Sequence, residues 1–123
     1  MTKEEFEILA RNMLAELPAE FKDRLQNVDV CIEQEPSPDT VRLLKLGDKG
    51  RLLGLYQGIP QNERTHYYGM VLPDKITLYK RNIERECREH GLNIKKEIRQ
   101  VIIHEIAHHF GITDQRLRDL DVY

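Results

Sequence analysis

The sequence predicts an α+β fold, a small β-sheet packed with an N-terminal helix and with a long helix late in the chain. Three observations predict it: a helical apolar stripe near the start, three short strand-like segments in the middle, and helical patterns that resume after residue 81. With 123 residues, of which 40% are hydrophobic and 33% charged, the chain suits one globular domain. We therefore expect a single domain spanning residues 1–123.

The first helix begins with a capping signal, because Thr2 is followed three residues later by Glu5. Apolar residues then recur at helical spacing and predict one buried stripe. Its members are Phe6, Leu9, Ala10, Met13, Leu14 and Leu17. Pro18 ends this helix and begins a short second one, through about Gln26.

Three segments have the composition of strands. Apolar and polar residues alternate over 28–33, which is typical of a half-buried strand. Residues 52–57 are largely apolar and lie between glycines, and 75–79 form the third candidate. The small sheet is expected to consist of these strands.

Two intervening segments are predicted to be loops. Residues 35–40 contain Pro36 and Pro38 and indicate an acidic surface loop. Residues 61–74 are polar, and a loop of that length is more often functional or mobile than inert. This second segment carries an aromatic cluster of His66, Tyr67 and Tyr68.

Helices are predicted for the rest of the chain. One begins near Arg81 and stops at Gly91, and the next is capped by Asn93 and spans 94–110. One last helical turn is expected to run through Leu120.

The segment from 104 to 114 contains H-E-x-x-H within the predicted long helix. Four residues along a helix, His104 and His108 differ by about 40° around the axis and about 6 Å along it, so both can bind one tetrahedral zinc. Glu105 points about 100° away from His104, too far round to be the natural third ligand. It can still accept a proton from water beside the metal, as a general base does.

The apolar residues of this helix fall on an arc largely opposite His104 and His108, so one side can be buried while the other lines a cleft. The arc comprises Ile98, Ile102, Ile103, Ile106 and Phe110. His109 lies within the arc, and we interpret it as a packed residue or one that supports a ligand.

A third ligand is predicted beyond the helix. Gly111 favours a helix stop in the left-handed conformation, after which the turn can bring residue 114 back towards the metal. Asp114 offers an oxygen ligand that zinc accepts alongside two nitrogens. The alternative is that Asp114 only caps the last helical turn.

Residues 104–114 resemble the H-E-x-x-H-x-x-G-x-x-D motif of the small bacterial minimal zincins, a family of zincin-like metallopeptidases. Residues 17–21, 54–58 and 71–76 are also similar to that family, so the resemblance covers nearly the whole chain. It implies a reduced zincin domain with a small sheet beside the active-site helix. The implied roles are zinc ligands at His104, His108 and Asp114, with Glu105 as the base.

The spacing also resembles that of metzincins, which have a histidine where this chain has Asp114. Only nine residues follow Asp114 and none is Met, so no Met-turn is expected. The resemblance implies peptidase chemistry without naming a substrate.

The leading hypothesis is zinc-assisted hydrolysis of peptide bonds in a peptide or protein substrate, with zinc polarising the carbonyl and Glu105 accepting the proton. Residues 52–57 are interpreted as an edge strand along which an extended peptide aligns. The candidate partners for the developing oxyanion are Tyr56, His66, Tyr67 and Tyr68.

Two alternatives stay open. A zinc-dependent endoribonuclease shares a related H-x-x-x-H-x-x-G spacing, but those proteins have Gly at the position of Glu105 and His at that of Asp114. A non-catalytic, zinc-stabilised binding module is the other, although a purely structural zinc site has no use for a base at Glu105.

Composition argues against several other classes. A net charge of −2 disfavours nucleic acid as a partner. No stretch of about 18 apolar residues predicts a membrane span, and the N-terminus lacks the apolar core of a signal peptide. Cys31 and Cys87 fit no metal or redox spacing and are predicted to be reduced thiols, in the core or half-buried, of a cytoplasmic protein. The oligomeric state stays open.

Overall fold

The computed structural model describes residues 1–23, 25, 28–45, 51–58 and 74–119. Within these residues the chain forms six helices and three strands, and the predicted α+β class is confirmed. In chain order they are α1 (Lys3–Ala15), α2 (Ala19–Lys22), β1 (Val28–Glu33), α3 (Pro38–Leu43), β2 (Gly54–Gln57), β3 (Asp74–Tyr79), α4 (Lys80–His90), α5 (Ile94–Phe110) and α6 (Asp114–Asp119).

The three strands form one sheet in the order β1–β3–β2. β1 runs parallel to β3, with Val30 opposite Ile76, whereas β2 runs antiparallel, with Tyr56 opposite the same Ile76. β3 is therefore the central strand, and its residues 76–79 are buried. Among the described residues β2 pairs only with β3, so its other side is an edge of the sheet.

Helix α1 begins as predicted. The Glu5 backbone N–H donates to Thr2 Oγ1 at 3.1 Å and the Thr2 N–H donates to Glu5 Oε1 at 3.3 Å, which completes a capping box. Phe6, Ala10 and Met13 are buried along the predicted stripe. α2 follows Pro18 but ends at Lys22, earlier than predicted, and residue 26 lies outside the described part of the chain.

One loop prediction is wrong in part, because α3 begins inside the segment 35–40. The Thr40 backbone N–H donates to Ser37 Oγ at 3.2 Å, and Pro38 is the first helical residue. A serine cap followed by proline starts a helix, since proline has no N–H to leave unpaired in the first turn. The prolines here mark a helix start.

Helix α5 spans the predicted residues and lies against both α1 and the sheet. Asn93 caps it by accepting the Lys96 N–H at 3.1 Å, and Gly111 ends it with φ of 69°. Its apolar arc is fully buried at Ile98, Ile102, Ile103 and Ile106. Burial of this arc fixes the rotation of α5 and so determines which way His104 faces.

The remaining predictions concern loops, thiols and membrane spans. The aromatic cluster His66, Tyr67 and Tyr68 lies outside the described residues. Cys31 and Cys87 are free, half-buried thiols, as predicted. No helix in the described ranges is long and apolar enough to cross a membrane.

Candidate metal centre

His104 is half-buried on the solvent-facing side of α5 and is held by a hydrogen bond within the helix. Its Nδ1 lies 2.8 Å from the carbonyl oxygen of Gln100. Because a carbonyl oxygen can only accept, Nδ1 carries the proton and Nε2 presents the lone pair in the neutral ring. This is the arrangement in which metal-binding histidines are oriented through their second nitrogen.

Glu105 and His108 continue the site along the same helix. His108 is exposed one turn after His104, whereas Glu105 is half-buried. Burial raises the pKa of the Glu105 carboxyl above its usual range, and a charge on His108 opposes that shift. A carboxylate with a raised pKa beside two imidazoles has the chemistry of a general base.

Two clefts lie between α5 and residues 52–56, and Glu105 lines both of them. The first has a volume of about 380 Å³ and lies beside His104, and the second, of about 260 Å³, lies beside His108. The first is lined by Leu52, Leu53, Gly54, Glu97, Gln100, Val101, His104 and Glu105. The second is lined by Leu55, Tyr56, Glu105, His108 and His109. Residues 52–56 therefore pass both clefts in order.

Asp114 is the exposed first residue of α6, three residues after Gly111. A side chain that caps α6 would accept the backbone N–H of Arg116. That N–H donates to Thr113 Oγ1 at 3.1 Å. Thr113 thus occupies the capping role that was the alternative for Asp114.

The ligand atoms of His104, His108 and Asp114 do not all lie within 4.8 Å of one another. His108 and Asp114 are exposed, so core packing does not fix their side-chain angles. Within the described residues, one group of three possible metal-binding side chains has all its ligand atoms within 4.8 Å of one another. The group is Glu86, Glu89 and His90. It lies on an outer face of α4, where His90 Nε2 is 3.4 Å from Glu86 Oε1, the separation of a surface ion pair.

His109 is exposed, contacts the edge strand β2 and lines the same cleft as Glu105 and His108. Its ring stacks on Tyr56, with centroids 4.1 Å apart and planes 28° apart. The Tyr56 hydroxyl donates to Asp74 Oδ2 at 2.7 Å, so this oxyanion candidate is already hydrogen-bonded. A Cβ on Gly58 would lie 2.8 Å from His109 Cε1, so a side chain there would displace the stack.

Two residues that were not predicted to belong to the site, Glu97 and Gln100, line the first cleft. Their signal was helical spacing, since Glu97 precedes His104 by seven residues and Gln100 precedes it by four. Both spacings place a side chain on the His104 face of the helix.

The donor chemistry of the site fits zinc. Two imidazoles and one carboxylate form a three-ligand set of the kind that catalytic zinc sites use, with a fourth position kept for water or substrate. The hydrogen bond from His104 to the Gln100 carbonyl supplies the supporting contact that such ligands need.

The chain is similar to known proteins over most of its length. A family model described as zincin-like metallopeptidase matches residues 25–123. Among solved structures, the chain is similar to a conserved hypothetical protein from Thermus thermophilus, at 30% sequence identity and a TM-score of 0.56. That match covers 89% of this chain and 94% of the other. A comparison with curated proteins gives no match.

Proposed function

This chain belongs to the family of zincin-like metallopeptidases, which at the family level are zinc-dependent hydrolases, and from that premise we propose that it is a zinc metallopeptidase with Glu105 as its general base. The observation that carries the proposal is the position of Glu105. It is half-buried, it lies between two histidines one helical turn apart, and it lines both clefts.

In this proposal His104, His108 and Asp114 hold the zinc ion. When bound there, zinc supplies a Lewis acid that polarises a carbonyl group and makes nearby water more acidic. Glu105 accepts a proton from the attacking water and then gives it to the departing amine. The raised pKa of Glu105 suits the first step, because a carboxylate with a raised pKa accepts the proton of water more readily.

The edge of β2 is where we propose that an extended peptide aligns. Its pairing with β3 occupies one side of the strand, and residues 52–56 pass both clefts. A peptide adding to that edge would gain backbone hydrogen bonds, and its side chains on either side of Glu105 would enter the two clefts.

The test is Glu105→Gln, which keeps the size of the side chain and removes its ability to accept a proton. We expect the variant to keep its zinc and its fold, while peptide hydrolysis falls by roughly 10²–10⁴-fold. A panel of unstructured peptides incubated with zinc-loaded protein measures the loss, and Glu89→Gln, on an exposed face of α4, is the matched control.

Three other outcomes would contradict the proposal. Equal peptide cleavage by the unmutated protein and Glu105→Gln would refute the role of the base. Cleavage of a structured RNA that persists in the variant would favour the nuclease alternative. Zinc uptake with no cleavage of peptide or RNA would favour the binding module.

A further inference from the structure

We propose that the cleft beside His104 is a side-chain pocket that selects a substrate residue with a long apolar stem and a positively charged end, and that Glu97 recognises the charge. The chemical class is therefore a peptide carrying lysine or arginine next to the scissile bond. This inference rests on the proposed function, since it names the substrate class of the same site.

The walls of the cleft suit an aliphatic stem. Leu52 and Leu53 contribute one side and Val101 of α5 the other. At Gly54 the strand approaches α5 closely, because a Cβ there would lie 2.7 Å from Val101 Cγ1, and this close approach forms the floor of the cleft. Lysine and arginine stems bury their methylene groups along such surfaces while the charged end reaches a polar partner.

The polar partner is Glu97, which lines the same cleft as Glu105 but lies eight residues earlier on α5. At 1.5 Å per residue the two backbone positions are about 12 Å apart along the helix. A lysine or arginine side chain and the Glu97 side chain, each extending towards the other, cover that distance. When the scissile bond of a peptide lies near Glu105, the charged end of the lysine or arginine next to that bond is therefore within reach of Glu97.

The charge of Glu97 is not neutralised by a lysine or arginine of the described chain. No lysine or arginine in the described ranges forms an ion pair with it. Burial, and then the neighbouring Glu86 carboxylate, raise the pKa of Glu97, while the smaller effects of His104 and His90 lower it, so its charged form is only partly compensated. A cation brought by the substrate would supply the missing compensation.

The same features disfavour other side chains. A purely apolar side chain of equal length would remove water from the Glu97 carboxylate without replacing its hydrogen bonds, which costs free energy. An acidic side chain would meet two carboxylates, those of Glu97 and Glu105. The pocket therefore discriminates by charge at its far end.

Glu97 also lies close enough to His104 for their charges to interact, so a role exerted through the metal ligand must be separated from substrate recognition. An effect through His104 would change the binding of every peptide by the same factor. Recognition of the side chain would change only the binding of peptides that carry the cation.

The experiment measures binding and cleavage of one peptide series. The peptides are identical alanine-rich hexamers that carry Lys, Arg, norleucine or Glu at a single position, moved along the peptide in turn. Binding is measured by anisotropy of a terminal dye in zinc-loaded protein carrying Glu105→Gln, so that hydrolysis does not interfere. Cleavage is measured in the chain with Glu105 intact.

We expect the Lys and Arg peptides to bind roughly tenfold more tightly than the norleucine peptide, as for a hydrogen bond to a charged group. Adding Glu97→Gln should remove that preference without weakening the binding of the norleucine peptide. With Glu97→Lys, the Glu peptide should instead bind most tightly. Glu89→Gln, on an exposed face of α4, is the charge-matched control and should retain the preference.

The outcomes separate this inference from the proposed function. If the Lys and Arg peptides bind more tightly but no peptide is cleaved, the result would support the pocket and contradict the proposed peptidase activity. Cleavage with equal rates and equal binding across the series would support the peptidase and overturn the pocket. The pocket would also be overturned if Glu97→Gln weakened the binding of all four peptides by the same factor. It would likewise be overturned if none of the four peptides bound.

Discussion

At the scale of single residues, His104 and His109 differ in what orients their rings. His104 is oriented by the Gln100 carbonyl, whereas His109 stacks on Tyr56. The adjacent His108 and His109 are both exposed and line one cleft, but the ring of His109 stacks on Tyr56. This difference supplies a control for the metal site.

We predict that His104→Ala or His108→Ala abolishes stable zinc binding, because two remaining ligands hold the metal poorly. Asp114→Ala should weaken zinc retention and leave the helix content unchanged. His109→Ala removes an imidazole of the same type and should retain about one zinc per chain, since the three proposed ligands remain. Elemental analysis after dialysis measures all four variants.

Two results would count against this ligand set. Loss of zinc in His109→Ala equal to that in His108→Ala would mean that His109 binds the metal. Unchanged zinc affinity in Asp114→Ala would exclude that carboxylate as a ligand.

Residue types and spacing were enough to predict the H-E-x-x-H segment, since its chemistry depends on one helix. The role of Glu97 could not be predicted in the same way. Its helical spacing from His104 was visible, but the cleft exists only because Leu52 and Leu53 approach the helix from another part of the chain.

At the scale of elements, two helices end in the same way but only one end belongs to the site. Gly91 has φ of 63° and Gly111 has φ of 69°, and a Cβ on either would meet nothing within 4 Å. Substitution of either glycine is therefore expected to destabilise the protein through backbone conformation alone. Gly111, unlike Gly91, lies between His108 and Asp114.

We predict that Gly91→Ala and Gly111→Ala each lower the free energy of unfolding of the metal-free protein by about 1 kcal/mol, because alanine is strained at positive φ. Only Gly111→Ala should also weaken zinc binding, since it disturbs the turn that carries Asp114. Denaturant titration and zinc competition with a chelator measure the two effects. Equal zinc affinity in both variants would show that the turn does not position a ligand.

Capping signals predicted helix limits well where a side chain closes the first turn. Asn93 and Gly111 bound α5 as expected, and Thr2 begins α1. Residues 35–40 differ from the predicted loop because Pro38 follows the capping residue Ser37 and so starts a helix.

At the scale of the whole molecule, the core joins α5 to α1 and to the central strand. Tyr79 at the end of β3 is only 2% exposed. Burial, and then the carboxylates of Glu33 and Glu105, raise the pKa of Tyr79 to about 12. The site residue Glu105 is thus electrostatically linked to the core behind it.

We predict that stability falls between pH 10 and about 12. The unfolded chain loses the Tyr79 proton near pH 10, whereas the folded chain keeps it, so the folded state binds more protons in this window and loses stability as pH rises. The loss attributable to Tyr79 over the whole window is roughly 3 kcal/mol. Denaturant titrations at pH 8 to 11.5 should show a shallower decline in Tyr79→Phe, and an unchanged decline would refute the assignment.

The alternation of side chains predicted the strands but not their partners. Periodicity assigns each residue to a face of the sheet, and it contains no information on which strand lies beside which. The parallel pairing of β1 with β3, which makes β2 the edge among the described strands, comes from the packing of distant segments.

The stack of Tyr56 on His109 has an optical consequence. The chain contains no tryptophan and five tyrosines, so its ultraviolet emission comes from tyrosine. Tyr56 has its ring against the residue that follows His108, and its hydroxyl donates to the Asp74 carboxylate. We expect zinc uptake to change the emission of unlabelled protein, and we expect Tyr56→Phe to remove most of that change while zinc still binds. The protein would then report occupancy of its own metal site in real time, without a dye.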